Sequence, residues 1–370
     1  MNIVVDKKVG WAISYFANSI KDNIKGIDVN LIDFREPTPP KADITHFGTW
    51  YLYRDAKYKP DNKRIVVTIH HLLRYNEVIK ELSKNKIKIV TMSSEWYYYL
   101  LKKGYPQNFL CCIPHGIDLE EWRYDKTKLL TEKCKEVTIG IVGRVYADGR
   151  KCERLIVPIV QRIKSQNYRL IIIGEGWENI VREAKKISNN VVHYNEVSSK
   201  KLKRIYQQLS ILLCTSDIEG GPLPILEAMA CGVTPVSTPV GLSRDLLPGN
   251  RLGYLFPKGD VIIVAKILNS IINGTRQLIK PTSLRNAVKP MSWRITADSY
   301  SKIYKTMVKN EKLPRDPSKH LHASKINYSN LNIYELMALL FNPLPTDKWT
   351  QPIFWRFMNK ILHYITGSQY

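Results

Sequence analysis

The stretch from Ile211 to Gly232 constrains the fold more than any other. Ile211-Leu-Leu-Cys214 is a short apolar run that reads as a buried strand. Glu219-Gly-Gly-Pro-Leu-Pro-Ile-Leu-Glu227-Ala-Met-Ala-Cys-Gly232 then reads as a turn opening a helix near Pro224 that closes at Gly232. Strand, turn and helix in that order imply a parallel α/β sheet with two carboxylates at its mouth. Ligands of such sheets bind there, because helix N-termini and free backbone N–H groups converge at the strand ends. Gly220 and Gly221 allow close backbone approach to an anion, and Glu227 lies about two helical turns beyond Glu219. Carboxylates for hydroxyls beside a nest for phosphates suit a nucleotide sugar.

Further runs of the same kind fill the chain. Asn2 to Val5, Val29 to Phe34, Ile44 to Phe47, Arg64 to Ile69, Ile87 to Met92 and Phe109 to Ile113 read as strands of a first domain. Val137 to Val142, Tyr168 to Ile173, Val191 to Val197, Ile211 to Cys214 and Thr234 to Gly241 read as strands and turns of a second. At 370 residues there is chain for two domains, each with its own core. The expected layout is a first Rossmann-like domain over 1–118, a linker over 119–136, a second Rossmann-like domain over 137–290, a crossover helix over 291–309 and a helical extension over 310–370.

Three groups of residues carry further chemistry. His70-His71 ends the strand from Arg64, at the edge where an active site is expected. Gly143-Arg144 follows the strand from Val137, and Lys151 comes seven residues later, with Arg150 a competitor for the same role. Two cations at a strand end suit a departing diphosphate. Gly174-Glu-Gly176 is a glycine turn after the strand from Tyr168, weak evidence by itself.

The Glu219 to Gly232 pattern resembles the signature of glycosyltransferase family 4, a retaining group with the GT-B fold. The resemblance runs over roughly 1–309 and is strongest over 137–256. It implies two Rossmann-like doubly wound domains facing across a cleft, with donor nucleotide on the second and acceptor on the first. It places Gly10 and Gly143 against the donor diphosphate, Arg144 and Lys151 as its cations, Glu219 on the sugar, and Glu227 on the ribose. It puts Gly174, Val197, Gly220, Gly221, Pro222 and Leu223 around the donor, and His70 opposite the reacting sugar. Pro114-His115-Gly116-Ile117-Asp118 resembles the family's Pro-Asn-Gly-Val-Asp turn, with His115 in the Asn place. Ser292-Trp293, Tyr300 and Tyr304 resemble its closing helix, which crosses back to the first domain. The expected chemistry is same-face substitution in which the leaving phosphate helps deprotonate the acceptor. No metal or cofactor is expected, and the chain has no Asp-x-Asp cluster.

Composition narrows the partners less. A formal charge of +23 attracts polyanions: nucleic acid, anionic lipid headgroups or phosphorylated substrates. The expected acceptor is a surface glycan or its lipid-linked precursor, with modified DNA bases, or a non-catalytic binding protein of the same fold, as alternatives. Ser94 reads as the N-cap of a helix running to Lys103, whose aromatic, basic sequence suits a membrane interface, a base-stacking surface or a core helix. The amphipathic run from Ile353 to Ile365 suits a membrane surface or docking onto the protein. No apolar run reaches bilayer length, and Met1 to Asp6 reads as a strand rather than a signal peptide. A cytoplasmic protein is expected, free or peripheral at the inner face of the membrane. Six cysteines without CxxC spacing suit reduced thiols rather than zinc or disulfides.

Overall fold

A computed structural model of the chain describes residues 1–8, 12–58, 60, 63–71, 76–124 and 136–309. The extension expected over 310–370 and the phosphate contact expected at Gly10 fall outside the described residues. Two six-stranded sheets, parallel at every pairing, form the two halves.

The first sheet contains β1 (Asn2–Val5), β2 (Asn30–Asp33), β3 (Thr45–Phe47), β4 (Ile65–Ile69), β5 (Lys88–Thr91) and β6 (Leu110–Cys112), ordered β2-β1-β3-β4-β5-β6. Helices α1 (Ala12–Asn23), α2 (Trp50–Asp55), α3 (Asn76–Lys84) and α4 (Ser94–Lys102) alternate with them. Val66, Val67, Ile69, Ile89 and Val90 are fully sealed from solvent, as expected of strands covered on both faces.

The second sheet contains β7 (Val137–Val142), β8 (Tyr168–Ile173), β9 (Val191–Tyr194), β10 (Ile211–Cys214), β11 (Thr234–Ser237) and β12 (Tyr254–Leu255), ordered β12-β11-β10-β7-β8-β9. Its helices are α5 (Ile156–Val160), α6 (Glu178–Lys185), α7 (Ser199–Gln208), α8 (Leu223–Ala230), α9 (Leu242–Leu246), α10 (Val261–Ile272) and α11 (Pro281–Val288). The chain runs outward from β7 through β8 to β9, then returns to β7's other side as β10. The strand order therefore reverses between β7 and β10, and their C-terminal loops diverge to leave a crevice.

Helix α12 (Trp293–Val308) leaves the second half and packs on the first. Its Trp293, Tyr300 and Tyr304 share one apolar cluster with Ile3, Phe16 and Val90. Gly116 is required at this crossing, because a Cβ there would meet the Trp293 ring at 2.3 Å. His115 explains its own departure from the expected Asn by packing: its ring lies edge to face with Trp293 at 4.8 Å and stacks on Tyr15. The segment expected to be a loose linker is tied down where it is described. Trp122 is buried, and Arg285 donates to the carbonyls of Leu119 and Trp122, at 2.5 and 2.6 Å.

The aromatic helix α4 is a core helix, which corrects the membrane and base-stacking options. Trp96, Tyr97, Tyr99 and Leu100 are buried, and only Tyr98 of the aromatics is exposed, at 55%. Nor does Ser94 cap this helix, as its spacing suggests: the cap position is Ser93, without a capping side-chain bond. Ser94 instead bonds with both backbone N–H (3.0 Å) and hydroxyl to Asp245 in the other half. Glu95 Oε2 accepts from the Gly241 N–H at 2.5 Å.

Candidate active site

The loops after β7 and β10 build the crevice floor. Gly143 has φ +138° and Gly174 has φ +133°, conformations that favour glycine, and a Cβ on Gly174 would lie 2.2 Å from the Gly143 carbonyl oxygen. Trp177 locks the first loop by donating its indole N–H to that oxygen at 2.6 Å. The loop is thus clamped in place before any ligand arrives.

Lys151 and Glu219 meet here. Nζ lies 2.6 Å from Oε1, with both side chains only 16% exposed. The Ser216 hydroxyl donates to the same carboxylate oxygen at 2.9 Å. Burial works against charge on both partners, yet their attraction prevails: the lysine pKa is held above its ordinary value and the glutamate's below. Thr215 Oγ1 donates to the Lys151 carbonyl at 2.8 Å, fixing the lysine's backbone to the end of β10. Lys151, Trp177, Thr215, Ser216, Glu219 and Pro222 line a pocket at this point.

Glu227 sits on α8, whose run of Ile225, Leu226, Ala228, Met229 and Ala230 is buried. Its Oε2 accepts from Tyr206 Oη on α7 at 2.7 Å. Burial pushes its pKa up to about 7, against the lowering influence of Tyr206 and Lys203. Gly232, at φ +73°, follows the helix and turns the chain into β11.

Arg144 stands apart from the Glu219–Lys151 pair. Its guanidinium is 3.0 Å from Glu175, with both side chains 48% exposed. Lys151, not Arg150, is the cation on Glu219. Arg150 reaches the first half instead, where Nη1 lies 2.7 Å from His71 Nε2. Val197 is half-buried beyond β9.

The two halves touch directly beside Glu219. A Cβ on Gly220 would fall 1.9 Å from the His70 carbonyl oxygen, and one on Gly221 would press on Met92 at 3.2 Å. Trp96 donates its indole N–H to the Glu219 carbonyl at 2.9 Å. The His70 ring, expected to face the sugar, turns its Nε2 to the Gly48 carbonyl at 3.1 Å. Burial lowers its pKa, opposed by that bond. Pro222 and Leu223 begin the turn of α8 behind the pair.

Sequence reasoning missed Ser216, Tyr206 and Trp177. Ser216-Asp-Ile-Glu219 carries the Ser-x-x-Glu spacing that signals side-chain to backbone capping, and here the serine contacts the carboxylate itself. Tyr206 lies on the apolar face of α7, where a buried hydroxyl needs a partner. Nothing local marks which partner it takes.

Residues 136–273 match the family Glycosyl transferases group 1. The chain is 28% identical over 226 residues to a component of human phosphatidylinositol N-acetylglucosaminyltransferase, covering 59% of this chain and 45% of that protein. It is 26% identical over 150 residues to the lipopolysaccharide 1,6-galactosyltransferase of Escherichia coli K12, covering 39% of this chain and 42% of that one. The chain thus spans somewhat under half the length of these relatives. In fold it resembles Anabaena Alr3699/HepE, solved with UDP and glucose, at TM-score 0.65 and 13% identity over 82% of this chain and 99% of that one. The chain thus shares two parallel six-stranded sheets of GT-B type with the solved glycosyltransferase structure, and over residues 136–273, across the Glu219 loop, it matches the family Glycosyl transferases group 1.

Proposed function

We propose that this chain is a retaining glycosyltransferase that moves a sugar from a nucleotide-diphosphate sugar to a hydroxyl of a surface glycan or lipid-linked glycan precursor. The observation that carries the reading is the Glu219–Lys151 pair, poised at 2.6 Å at the switch point of the second sheet. A carboxylate there orients sugar hydroxyls, and the ammonium beside it receives the negative charge that grows on a departing diphosphate. Arg144 adds a second cation. Its half-exposed pair with Glu175 is worth at most about 1 kcal/mol, so an arriving diphosphate displaces Glu175 at little cost.

Glu227 would accept from ribose hydroxyls, and N–H groups around Gly220 and Gly221 would lie near sugar or phosphate. The leaving phosphate itself would take the acceptor proton on the face it vacates, a route that calls on no metal. The relatives' names, phosphatidylinositol N-acetylglucosaminyltransferase and lipopolysaccharide galactosyltransferase, favour lipid-borne glycan acceptors. Among the described residues no helix is long and apolar enough to cross a membrane.

The test is a thermal-shift screen against nucleoside diphosphates and their sugars, followed by donor turnover. A ligand at 100 times its dissociation constant adds about 2.7 kcal/mol of stability. One nucleotide sugar is expected to raise Tm, with the shift lost in Glu227→Ala and turnover lost in Glu219→Ala. If no nucleotide shifts Tm at saturation, or Glu219→Ala turns over donor as well as the parent, the reading is wrong.

A further inference from the structure

In the loop from Arg144 to Lys151, Arg150 carries its side chain across to the first half. It packs over the Tyr146 ring at 3.7 Å and bonds to His71 at 2.7 Å, with its side chain 17% exposed. Its only carboxylate within ion-pair reach among the described residues is Asp148, at 3.6 Å and 55% exposed. Glu219 exerts some pull from farther off, but Lys151 already neutralises it. A guanidinium this buried, whose best hydrogen bond goes to an imidazole, is under-compensated.

His71 points the same way. Next to the guanidinium its imidazole stays neutral, since burial first and Arg150 second hold its pKa down to about 4. Nε2 accepts from Arg150, so the proton belongs on Nδ1, and Nδ1 is sealed from solvent with no hydrogen-bond partner among the described residues. A ligand can therefore reach the Arg150 guanidinium, whose side chain keeps 17% of its surface open, but not the enclosed His71 Nδ1, and His71 serves to hold the guanidinium on the first-half side of the Glu219 loop. Lys151 and Arg144 stand on the other side, by Gly143 and Glu175. Tyr51 of α2 interacts electrostatically with Tyr146 across the junction, so the Arg150 guanidinium, packed on the Tyr146 ring, lies near aromatic side chains of both halves.

We infer that Arg150, held in place by His71, forms an acceptor-specificity site that binds an oxyanion, phosphate or carboxylate, carried by the acceptor near its reacting hydroxyl. The inference rests on the transfer reaction proposed above and adds to it the charge class of the acceptor. A planar guanidinium matches either oxyanion with two parallel bonds, and a phosphorylated sugar or a uronic acid would present it equally.

The test separates acceptor binding from donor chemistry. Binding of glucose, glucose 6-phosphate and glucuronic acid is measured by calorimetry, with and without saturating UDP, on the parent chain and on Arg150→Gln, Arg150→Lys, His71→Phe and the surface control Lys186→Gln. The anionic sugars are expected to bind about tenfold or more tighter than glucose. Arg150→Gln should erase that ratio, Arg150→Lys should keep part of it, His71→Phe should reduce it, and Lys186→Gln should leave it intact. A larger response to the phosphate names a phosphorylated acceptor, and a larger response to the carboxylate an acidic sugar. Equal binding of all three sugars overturns the inference, as does loss of the ratio in Lys186→Gln. If Arg150→Gln weakens UDP itself by the same factor, Arg150 serves the donor diphosphate and the inference fails. A chain that binds no nucleotide but keeps the sugar ratio overturns the proposed donor instead.

Discussion

Glu219 and Glu227 lie on one strand-turn-helix unit yet sit in opposite electrostatic conditions. Glu219 has Lys151 against it and stays ionised, whereas Glu227 has a neutral phenol and a pKa near 7. Accepting bonds from ribose hydroxyls, the role proposed for Glu227, favours the carboxylate form, so donor affinity should rise with pH through that value. If only the ionised form binds, moving from pH 6 to pH 8 raises UDP affinity roughly tenfold. Glu227→Gln should bind more weakly with a flat pH profile, and calorimetry at both pH values checks both points. The motif itself is legible in the sequence because Gly-Gly-Pro between two carboxylates constrains a turn whatever surrounds it. The difference between the two carboxylates is not legible there, since it comes from Lys151 and Tyr206, each on a different element.

At the scale of elements, the domain junction rests on α4 meeting α9. Ser94 and Asp245 share two hydrogen bonds, and Glu95 accepts from the Gly241 N–H. Asp245→Ala leaves the part-buried Ser94 N–H without its acceptor, which should lower stability by about 1 kcal/mol in denaturant unfolding. The same change should speed amide exchange over 94–100 and 241–246 more than in β7 or β8, because it loosens a junction and not a core. Uniform exchange across the chain would mean that Asp245 is merely structural within its own half. Strands such as β4, β-branched throughout, and β8, ending in three isoleucines, are readable because such runs have few other uses. Ser94 misleads for a physical reason: a serine before a helix ordinarily bonds to its own backbone, and only tertiary contact with a residue 151 positions away overrides that. The aromatic run of α4 follows the same rule, its rings being consumed by the junction rather than offered to a surface.

For the whole molecule, buried titratable groups pull stability in opposite directions with pH. His46 is enclosed between Tyr304 and Thr68, and His115 between Tyr15 and Trp293; burial lowers the first to about 3 and the second to about 4. In the folded state they bind fewer protons than in the unfolded chain below about pH 6.5, so their contribution is present above that pH and is lost on acidification. Glu227 and Asp245 do the reverse, with burial raising them to about 7 and about 6. They bind more protons folded than unfolded, so their contribution is complete below about pH 4 and is lost as pH rises through those values. His70 and His71 are lowered by burial as well, so between pH 5 and 7 the histidines outweigh the two carboxyls and the Tm of the unliganded chain should climb. Glu227→Gln removes one of the opposing carboxyls, so its Tm should climb from pH 5 to 7 more steeply than the parent's. Substituting His115→Asn should instead make the climb shallower than the parent's. Calorimetric scans at three pH values decide the matter, and profiles that stay parallel across parent and both variants would show that these groups do not set the balance.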